Sequence, residues 1–122
     1  MLTWFMRTIE FYRTLSGDCP VEEFLDSLSD RDAQKVAWVL RLVERLEMVP
    51  QQYLKRVAGT HEVWEVRSQV GGSSYRLLGF FYESRFLILT NGFSKKRQKT
   101  PMKEIELAQR RRAEYLERKR KA

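Results

Sequence analysis

The chain has 122 residues, which suffices for one domain with a hydrophobic core but not for two. A hydrophobic fraction of 43%, with seven Phe, five Tyr and three Trp, excludes an intrinsically disordered protein. The single cysteine, Cys19, cannot form an internal disulfide, and no segment approaches the roughly 20 apolar residues of a membrane span. Residues 1–6 are largely apolar, but Arg7 and Glu10 follow too early for an export signal. We therefore expect a soluble, cytoplasmic protein.

The net charge of +7 is concentrated in the last quarter of the chain. Residues 94–122 contain 12 Lys and Arg against 4 Asp and Glu, whereas residues 1–93 contain 11 against 12. A basic segment on an otherwise neutral domain favours a phosphate-rich partner such as nucleic acid. The alternative is a solvated helical tail, because basic tails are common on protein surfaces.

The N-terminal half predicts one strand followed by two helices. Residues 6–12 are rich in aromatic and β-branched side chains, which favour a strand. Pro20 and the glutamates that follow it are typical of the first turn of a helix. A second helix, capped by Ser29 or Asp30, extends to about Met48, before a proline ends it.

The C-terminal half predicts three strands and a helix. Apolar residues alternate with a period of two over residues 61–68, 74–83 and 85–93, which is the pattern of successive strands. Their short connections imply that neighbouring strands are antiparallel. Residues 101–120 then close the chain as a basic helix that begins at a proline.

These elements follow one another in the order β-α-α-β-β-β-α, with no linker or internal repeat, so residues 1–122 form a single domain. The order predicts an α+β fold in which helices pack on one face of a small sheet. The predicted sheet has four strands and is mainly antiparallel. The two N-terminal helices lie on one face of it, and the basic helix ends the chain.

The faces of the predicted sheet bring several cations together. On the strand 61–68, Trp64 and Val66 point one way, and Glu65 and Arg67 point the other. Arg76 lies in an otherwise apolar strand and therefore needs a partner. It either forms a structural pair with Glu65, or converges with Arg67 on an open face that binds phosphate. The next strand delivers four more cations to the same end of the sheet, namely Lys95, Lys96, Arg97 and Lys99. This convergence favours the second interpretation.

Other kinds of site have little support. One His and one Cys cannot build a zinc site of the usual kind, so no metal or other cofactor is expected. Gly71 and Gly72 lack the Lys and the Ser or Thr that would follow in a phosphate-binding loop. His61 is a candidate acid or base, but a lone histidine at the start of a strand is more often incidental.

Six segments of the chain resemble, in the right order, the phage-derived branch of the HigB/RelE toxin family. The most specific feature is the combination of F-x-K-K-x-x-K-T-P with an upstream Trp-Glu-Val-Arg. The segments are spread over nearly the whole chain: FYRT (11–14), CPVEEFLDSL (19–28), VWEVR (63–67), YRLL (75–78), NGFSKKRQKTP (91–101) and EIELAQRRRAEYLER (104–118).

The resemblance implies a RelE-like fold and the toxin of a type II toxin–antitoxin system. Such a toxin is a ribosome-dependent mRNA endonuclease (an mRNA interferase) that inhibits translation. A helix-turn-helix, HigA-like protein antitoxin neutralises it, and its other partners are the ribosome and mRNA. Metal-independent cleavage by the 2′-hydroxyl of RNA is compatible with a cluster of cations, because cations neutralise the developing phosphorane charge. A lysine among other cations has a lowered pKa and is a candidate base.

The family motifs also imply site residues. The basic catalytic positions are Arg67, Arg76, Lys95, Lys96 and Lys99. Positions that contact the RNA backbone are Arg97, Lys103, Arg110 and Arg111. Tyr115 is the one tyrosine of the last helix and a candidate acid or base, although its local match is poor and plain core packing is the alternative.

Two other functions remain open on the same fold. One is a non-catalytic RNA-binding or partner-binding module, which the intact set of cations argues against. The other is a gyrase-targeting, ParE-like toxin, whose relatives generally lack so dense a basic site. Trp38 projects from the polar side of the second helix, so it either contacts a partner such as the antitoxin or packs under a loop.

Overall fold

A computed structural model describes residues 7–96 and 99–122 of the chain. In this part of the protein three helices and five strands follow one another: β1 (Thr8–Phe11), α1 (Pro20–Asp26), α2 (Asp30–Arg45), β2 (Leu54–Arg56), β3 (Trp64–Val70), β4 (Ser73–Tyr82), β5 (Phe86–Ser94) and α3 (Met102–Lys121). The strands form one sheet in the order β1-β5-β4-β3-β2. All neighbours are antiparallel except β1 and β5, which are parallel. The α+β class is therefore confirmed.

The sheet has five strands, not the four predicted, because the sequence pattern does not reveal β2. This strand has three residues, of which only Leu54 is buried, so it is too short to show alternation. It pairs with β3, and this pairing places Lys55 directly opposite Glu65. The strand thus adds an unpredicted cation to the edge of the sheet.

The helices cover both faces of the sheet, not one. Val21 of α1 and Val36 of α2 are fully buried against a layer of sheet residues that includes Leu77. Ile105 of α3 packs with Leu78 on the opposite face. Because adjacent residues of β4 point to opposite faces and both are apolar, each face needs a cover. The prediction of a single helical layer is wrong for this reason.

Hydrogen bonds from nearby side chains satisfy backbone groups at both ends of α2. The Ser29 hydroxyl accepts a hydrogen bond from the backbone N–H of Asp32 at 3.2 Å, so Ser29 is the N-cap of α2. This helix ends at Arg45, three residues before the predicted end. Beyond it the guanidinium of Arg7 donates to the carbonyls of three residues, namely Val43, Leu46 and Glu47. Among the described helices, none has the length and apolar character needed to cross a membrane.

A buried hydrogen bond joins β4 to the start of α2. The hydroxyl of Tyr75 donates to the Asp32 carboxylate, and both residues are buried. This hydrogen bond is the main cause that lowers the pKa of Asp32 below its ordinary value of 3.8, against the opposing effect of burial. The stabilisation is therefore present above that ordinary value and is lost as the pH falls through the lower folded-state pKa.

We expect Tyr75→Phe to lower the melting temperature at pH 7 and to have a smaller effect at pH 3. The variant removes the donor that lowers the pKa of Asp32. At pH 3 the Asp32 carboxyl of the unfolded chain is already largely protonated, so less of this stabilisation remains in the wild type. Circular dichroism melts of both proteins at the two pH values measure the difference. An effect of equal size at both would show that the hydrogen bond does not favour ionised Asp32.

Candidate functional site

Two arginines meet on the face of the sheet that α3 partly covers. Arg67 of β3 lies directly opposite Arg76 of β4, and side chains at such paired positions point to the same face. Like charges in this arrangement repel. Glu65 relieves the repulsion, because its Oε1 lies 3.3 Å from Nε of Arg67 and 3.6 Å from Nε of Arg76. The structural pair of Arg76 with Glu65 is present, and Arg67 converges on the same carboxylate. Phosphate binding by this face stays a prediction.

Arg76 is the buried member of the pair. The residue is only 8% exposed, and its Nη1 donates to the hydroxyl of Ser74 at 2.8 Å and to the carbonyl of Tyr75 at 3.0 Å. Burial lowers the pKa of Arg76, and the nearby Arg67 acts in the same direction. The Nε atoms of both arginines lack a hydrogen-bond acceptor, although each is within ion-pair distance of Glu65. Both Nε atoms are buried, so each is turned to Glu65 and not to solvent.

Lys95 joins the arginines from the end of β5. Its backbone N–H donates to the carbonyl of Ser74 at 2.7 Å, which fixes it beside β4. Burial lowers the pKa of Lys95, and Arg76, Arg67 and Lys55 lower it further, while Glu65 acts in the opposite direction. A lysine whose charged form is disfavoured in this way is more readily deprotonated than a solvated one.

These groups border a cleft of about 340 Å³ between β2, β3 and the start of α3. Its lining includes charged side chains, namely Lys55, Glu65, Arg67, Lys95 and Lys99, and apolar ones, namely Val57, Ala58, Met102 and Ile105. The hydroxyl of Thr100 donates to Oε2 of Glu65 at 2.8 Å and ties the segment after β5 to the cleft. The cleft therefore combines several cations with apolar side chains in one lining.

Most of the chain matches the model of one protein family. Residues 23–113 match the family described as phage derived protein Gp49-like (DUF891). The chain belongs to the Gp49-like family. The matched segment contains every residue that lines the cleft, and the family is toxin-like, of the RelE/HigB type. None of the curated proteins matches the chain.

The Gp49-like domain brings most of the predicted catalytic residues together. Arg67, Lys95 and Lys99 line the cleft, and Arg76 contacts Glu65 in its wall. Lys96 is exposed and does not line the cleft, but it lines a neighbouring depression together with Lys95 and Lys103. The role of Lys96 as a catalytic residue stays a prediction.

The predicted RNA contacts of the Gp49-like domain have different surroundings. Arg110 is exposed on α3, as expected of a backbone contact. Arg111 instead donates to the carbonyl of Thr90 at 2.8 Å, and its guanidinium lies 5.7 Å from the ring centre of Tyr12. It thus joins α3 to the sheet, which corrects its prediction as an RNA contact. The predicted position Arg97 lies outside the described residues.

Neither candidate acid–base residue reaches the cleft. Tyr115 packs edge-on against Phe80 and Tyr82, with ring centres 5.4 and 5.5 Å apart, and burial raises its pKa. Phe80 is four positions from Arg76 along β4, or about 13 Å, so Tyr115 belongs to the core. His61 is exposed in the bend before β3 and does not line the cleft. Both predictions are corrected accordingly.

Sequence reasoning missed two groups at the site of this Gp49-like domain. Lys55 lies on the unpredicted strand β2, and the only signal was its neighbour Arg56 in a short basic pair. Thr100 stands within the K-T-P motif, but nothing in the sequence indicates that its hydroxyl reaches Glu65. Within residues 7–96 and 99–122, no three His, Cys, Asp or Glu side chains form a group that would hold a metal ion.

Proposed function

We propose that this Gp49-like protein is the toxin of a type II toxin–antitoxin pair and that it cleaves ribosome-bound mRNA. Membership of a toxin-like family supports the first part of the proposal. One observation carries the second: Arg67, Arg76 and Lys95 converge around a single buried carboxylate at an open cleft. Preformed cations of this kind stabilise the charge that develops on a phosphate under attack.

In the proposed reaction the 2′-oxygen of a nucleotide attacks the adjacent phosphorus. The P–O2′ bond forms and the P–O5′ bond breaks, leaving a 2′,3′-cyclic phosphate and a 5′-hydroxyl. Lys95 accepts the proton of the 2′-hydroxyl, a role that suits its lowered pKa. Arg67 and Arg76 neutralise the phosphorane, and the ammonium of Lys99 supplies a proton to the leaving oxygen. The reaction as proposed requires no metal.

The proposed dependence on the ribosome fits the shape of the site. The cleft is open, and few of its groups would fix an RNA strand in one orientation. A ribosome that holds the message removes this requirement, because positioning alone contributes several orders of magnitude to a rate. Exposed cations outside the cleft would then contact the RNA backbone, namely Lys96, Lys103 and Arg110.

We expect the purified protein to cleave mRNA in a reconstituted translation reaction and to leave the same mRNA intact without ribosomes. Mapping of the cleavage ends should find 5′-hydroxyl products. Arg76→Ala should abolish the products, whereas Lys121→Ala, which removes an exposed cation at the end of α3, should not. Growth arrest on expression should be relieved by the neighbouring gene's product if that product is the proposed helix-turn-helix, HigA-like antitoxin.

Two results would contradict the proposal. Salt-dependent RNA binding without any cleavage of ribosome-bound message would indicate a non-catalytic module. Inhibition of DNA supercoiling by gyrase, with translation unaffected, would indicate a ParE-like toxin.

A further inference from the structure

Glu65 is a buried acidic residue at the centre of a basic site. It is only 5% exposed, and both of its carboxylate oxygens are engaged. Oε1 faces Nε of Arg67 and Nε of Arg76, and Oε2 accepts the hydrogen bond of Thr100. Lys55 lies opposite it on β2. Side chains from β3, from β4 and from the segment before α3 therefore meet at this one carboxylate.

The first consequence concerns the orientation of the two guanidinium groups. Glu65 is at the Nε edge of each, while Nη1 of Arg67 donates to the carbonyl of Gln51 at 3.2 Å and Nη1 of Arg76 donates to Ser74. Among residues 7–96 and 99–122, no acceptor is found for Nη2 of either arginine. Each guanidinium is thus held through Nε and Nη1 and keeps Nη2 as a donor for a phosphate oxygen.

The second consequence concerns two lysines that line the cleft, Lys95 and Lys99. Thr100 directly follows Lys99, and Pro101 and α3 come next. Its hydrogen bond to Glu65 holds Thr100 beside the cleft, and the backbone bond from Lys95 to Ser74 holds Lys95 beside β4. The same carboxylate that lies between the arginines thereby fixes the residue next to Lys99.

We propose that Glu65 is a positioning residue, which sets the spacing of Arg67 and Arg76 and, through Thr100, fixes the neighbouring Lys99 at the cleft. The inference rests on the proposed nuclease function and adds a residue to it. Glu65 does not contact RNA in this scheme, because the arginines and Thr100 occupy its two oxygens. It acts on the reaction only through their placement.

This role predicts that binding and cleavage respond in opposite directions to loss of the charge. Glu65→Gln preserves the size of the side chain and an acceptor for Thr100. It removes a negative charge from the phosphate site, so RNA should bind at least as tightly as before. The guanidinium groups lose their common partner, however, and misplacement by about 1 Å can cost roughly 10²-fold in rate. If the role of Glu65 were purely structural, Glu65→Gln would instead lower the melting temperature and would reduce both RNA binding and cleavage.

The experiment compares single-turnover cleavage of ribosome-bound mRNA over a range of protein concentrations, which separates the maximal rate from KM. Glu65→Gln should reduce the maximal rate by about 30-fold or more, with KM unchanged or lower. Thr100→Val should reduce it by about 10-fold and Thr100→Ser, which keeps the hydroxyl, should restore it. Glu106→Gln, which removes an exposed charge from α3, should match the wild type.

A second measurement does not depend on cleavage. Fluorescence anisotropy with a short single-stranded RNA should show an affinity for Glu65→Gln equal to or above that of the wild type at each salt concentration. An unchanged maximal rate in Glu65→Gln and Thr100→Val, or weaker RNA binding by Glu65→Gln, would overturn the inference. Failure of the wild type to cleave any message would overturn the proposed function instead.

Discussion

Lys95→Ala is expected to reduce cleavage of ribosome-bound mRNA by about 10²–10⁴-fold, the range typical of the loss of a general base. The reason lies in the environment of the amine. Burial and three neighbouring cations lower the pKa of Lys95, so a larger fraction is neutral and able to accept a proton than for a solvated lysine. Single-turnover kinetics on ribosome-bound mRNA measure the effect directly.

The role of Lys95 as a base also predicts the direction in which the cleavage rate changes with pH. Because the base must be neutral, the wild-type rate should rise with pH and level off below the ordinary lysine value of 10.5, which reflects the lowered pKa. Lys95→Arg keeps the positive charge but never releases its proton at these pH values, so it should be as impaired as Lys95→Ala. An active Lys95→Arg enzyme would show that Lys95 acts only through its charge.

Loss of Lys95 should leave the fold intact. The charged amine is disfavoured where it lies, since the pKa is lowered, so its removal takes away repulsion rather than a stabilising contact. We therefore expect the melting temperature of Lys95→Ala to equal or exceed that of the wild type. A large decrease would mean that the lost activity reports unfolding. Lys121→Ala serves as the matched control for removal of a surface cation.

Much of the fold could be predicted from local patterns. The change of period in the C-terminal half located three strands, and Ser29 and Pro20 located the starts of two helices. Local patterns do not reveal β2, which has a single buried residue. They also could not predict which face of the sheet α3 covers, because this depends on the face that α1 and α2 leave uncovered in the assembled sheet.

The candidate site was predictable to the extent that it depends on strand alternation. Arg67, Arg76 and Lys95 are brought together by pairing of β3, β4 and β5, as expected. The hydrogen bond from Thr100 to Glu65 joins residues 35 positions apart and depends on the path of the chain between them. Tyr115 was a candidate acid or base because it is the one tyrosine of the last helix. Its position along α3 places it against Phe80, so the residue type alone did not identify its role.

Trp38 packs against a following segment, which confirms one of its two alternatives, and its contact with a partner stays a prediction. It is 40% exposed on α2, and the amine of Lys35 lies 4.6 Å from its ring centre. Its other side packs edge-on against Tyr53, in the segment before β2, with ring centres 5.9 Å apart. Helical spacing correctly predicted that it projects outward, but the contact with the following segment required the tertiary structure.

The placement of Lys95 on the cleft depends on a register shift between β4 and β5. Phe80 pairs with Ile88, but Arg76 pairs with Phe93, so β5 has one extra residue between the two pairs. Side chains alternate along a strand, and one extra residue therefore reverses which of them face the cleft. Without the shift, Lys95 would point to the face covered by α1 and α2.

Gly79 makes this irregularity possible, and Gly79→Ala should destabilise the protein by about 3 kcal/mol or more. A Cβ at this position would lie 2.1 Å from the carbonyl oxygen of Ile88, a backbone atom of the neighbouring strand. Ile88 and its neighbour Leu89 are fully buried, so the strand cannot move away without disturbing the core. The strain should lower the melting temperature by roughly 10 °C in a domain of this size.

Gly72→Ala is the matched control, because no atom lies within 4 Å of a Cβ built there. Thermal and denaturant unfolding of both variants measure the difference, and a shift below about 2 °C for Gly79→Ala would mean that β5 accommodates the methyl group. Any Gly79→Ala protein that remains folded provides a further test. If the two strands re-pair without the shift, Lys95 leaves the cleft and cleavage should fall as far as it does in Lys95→Ala, even below the melting temperature.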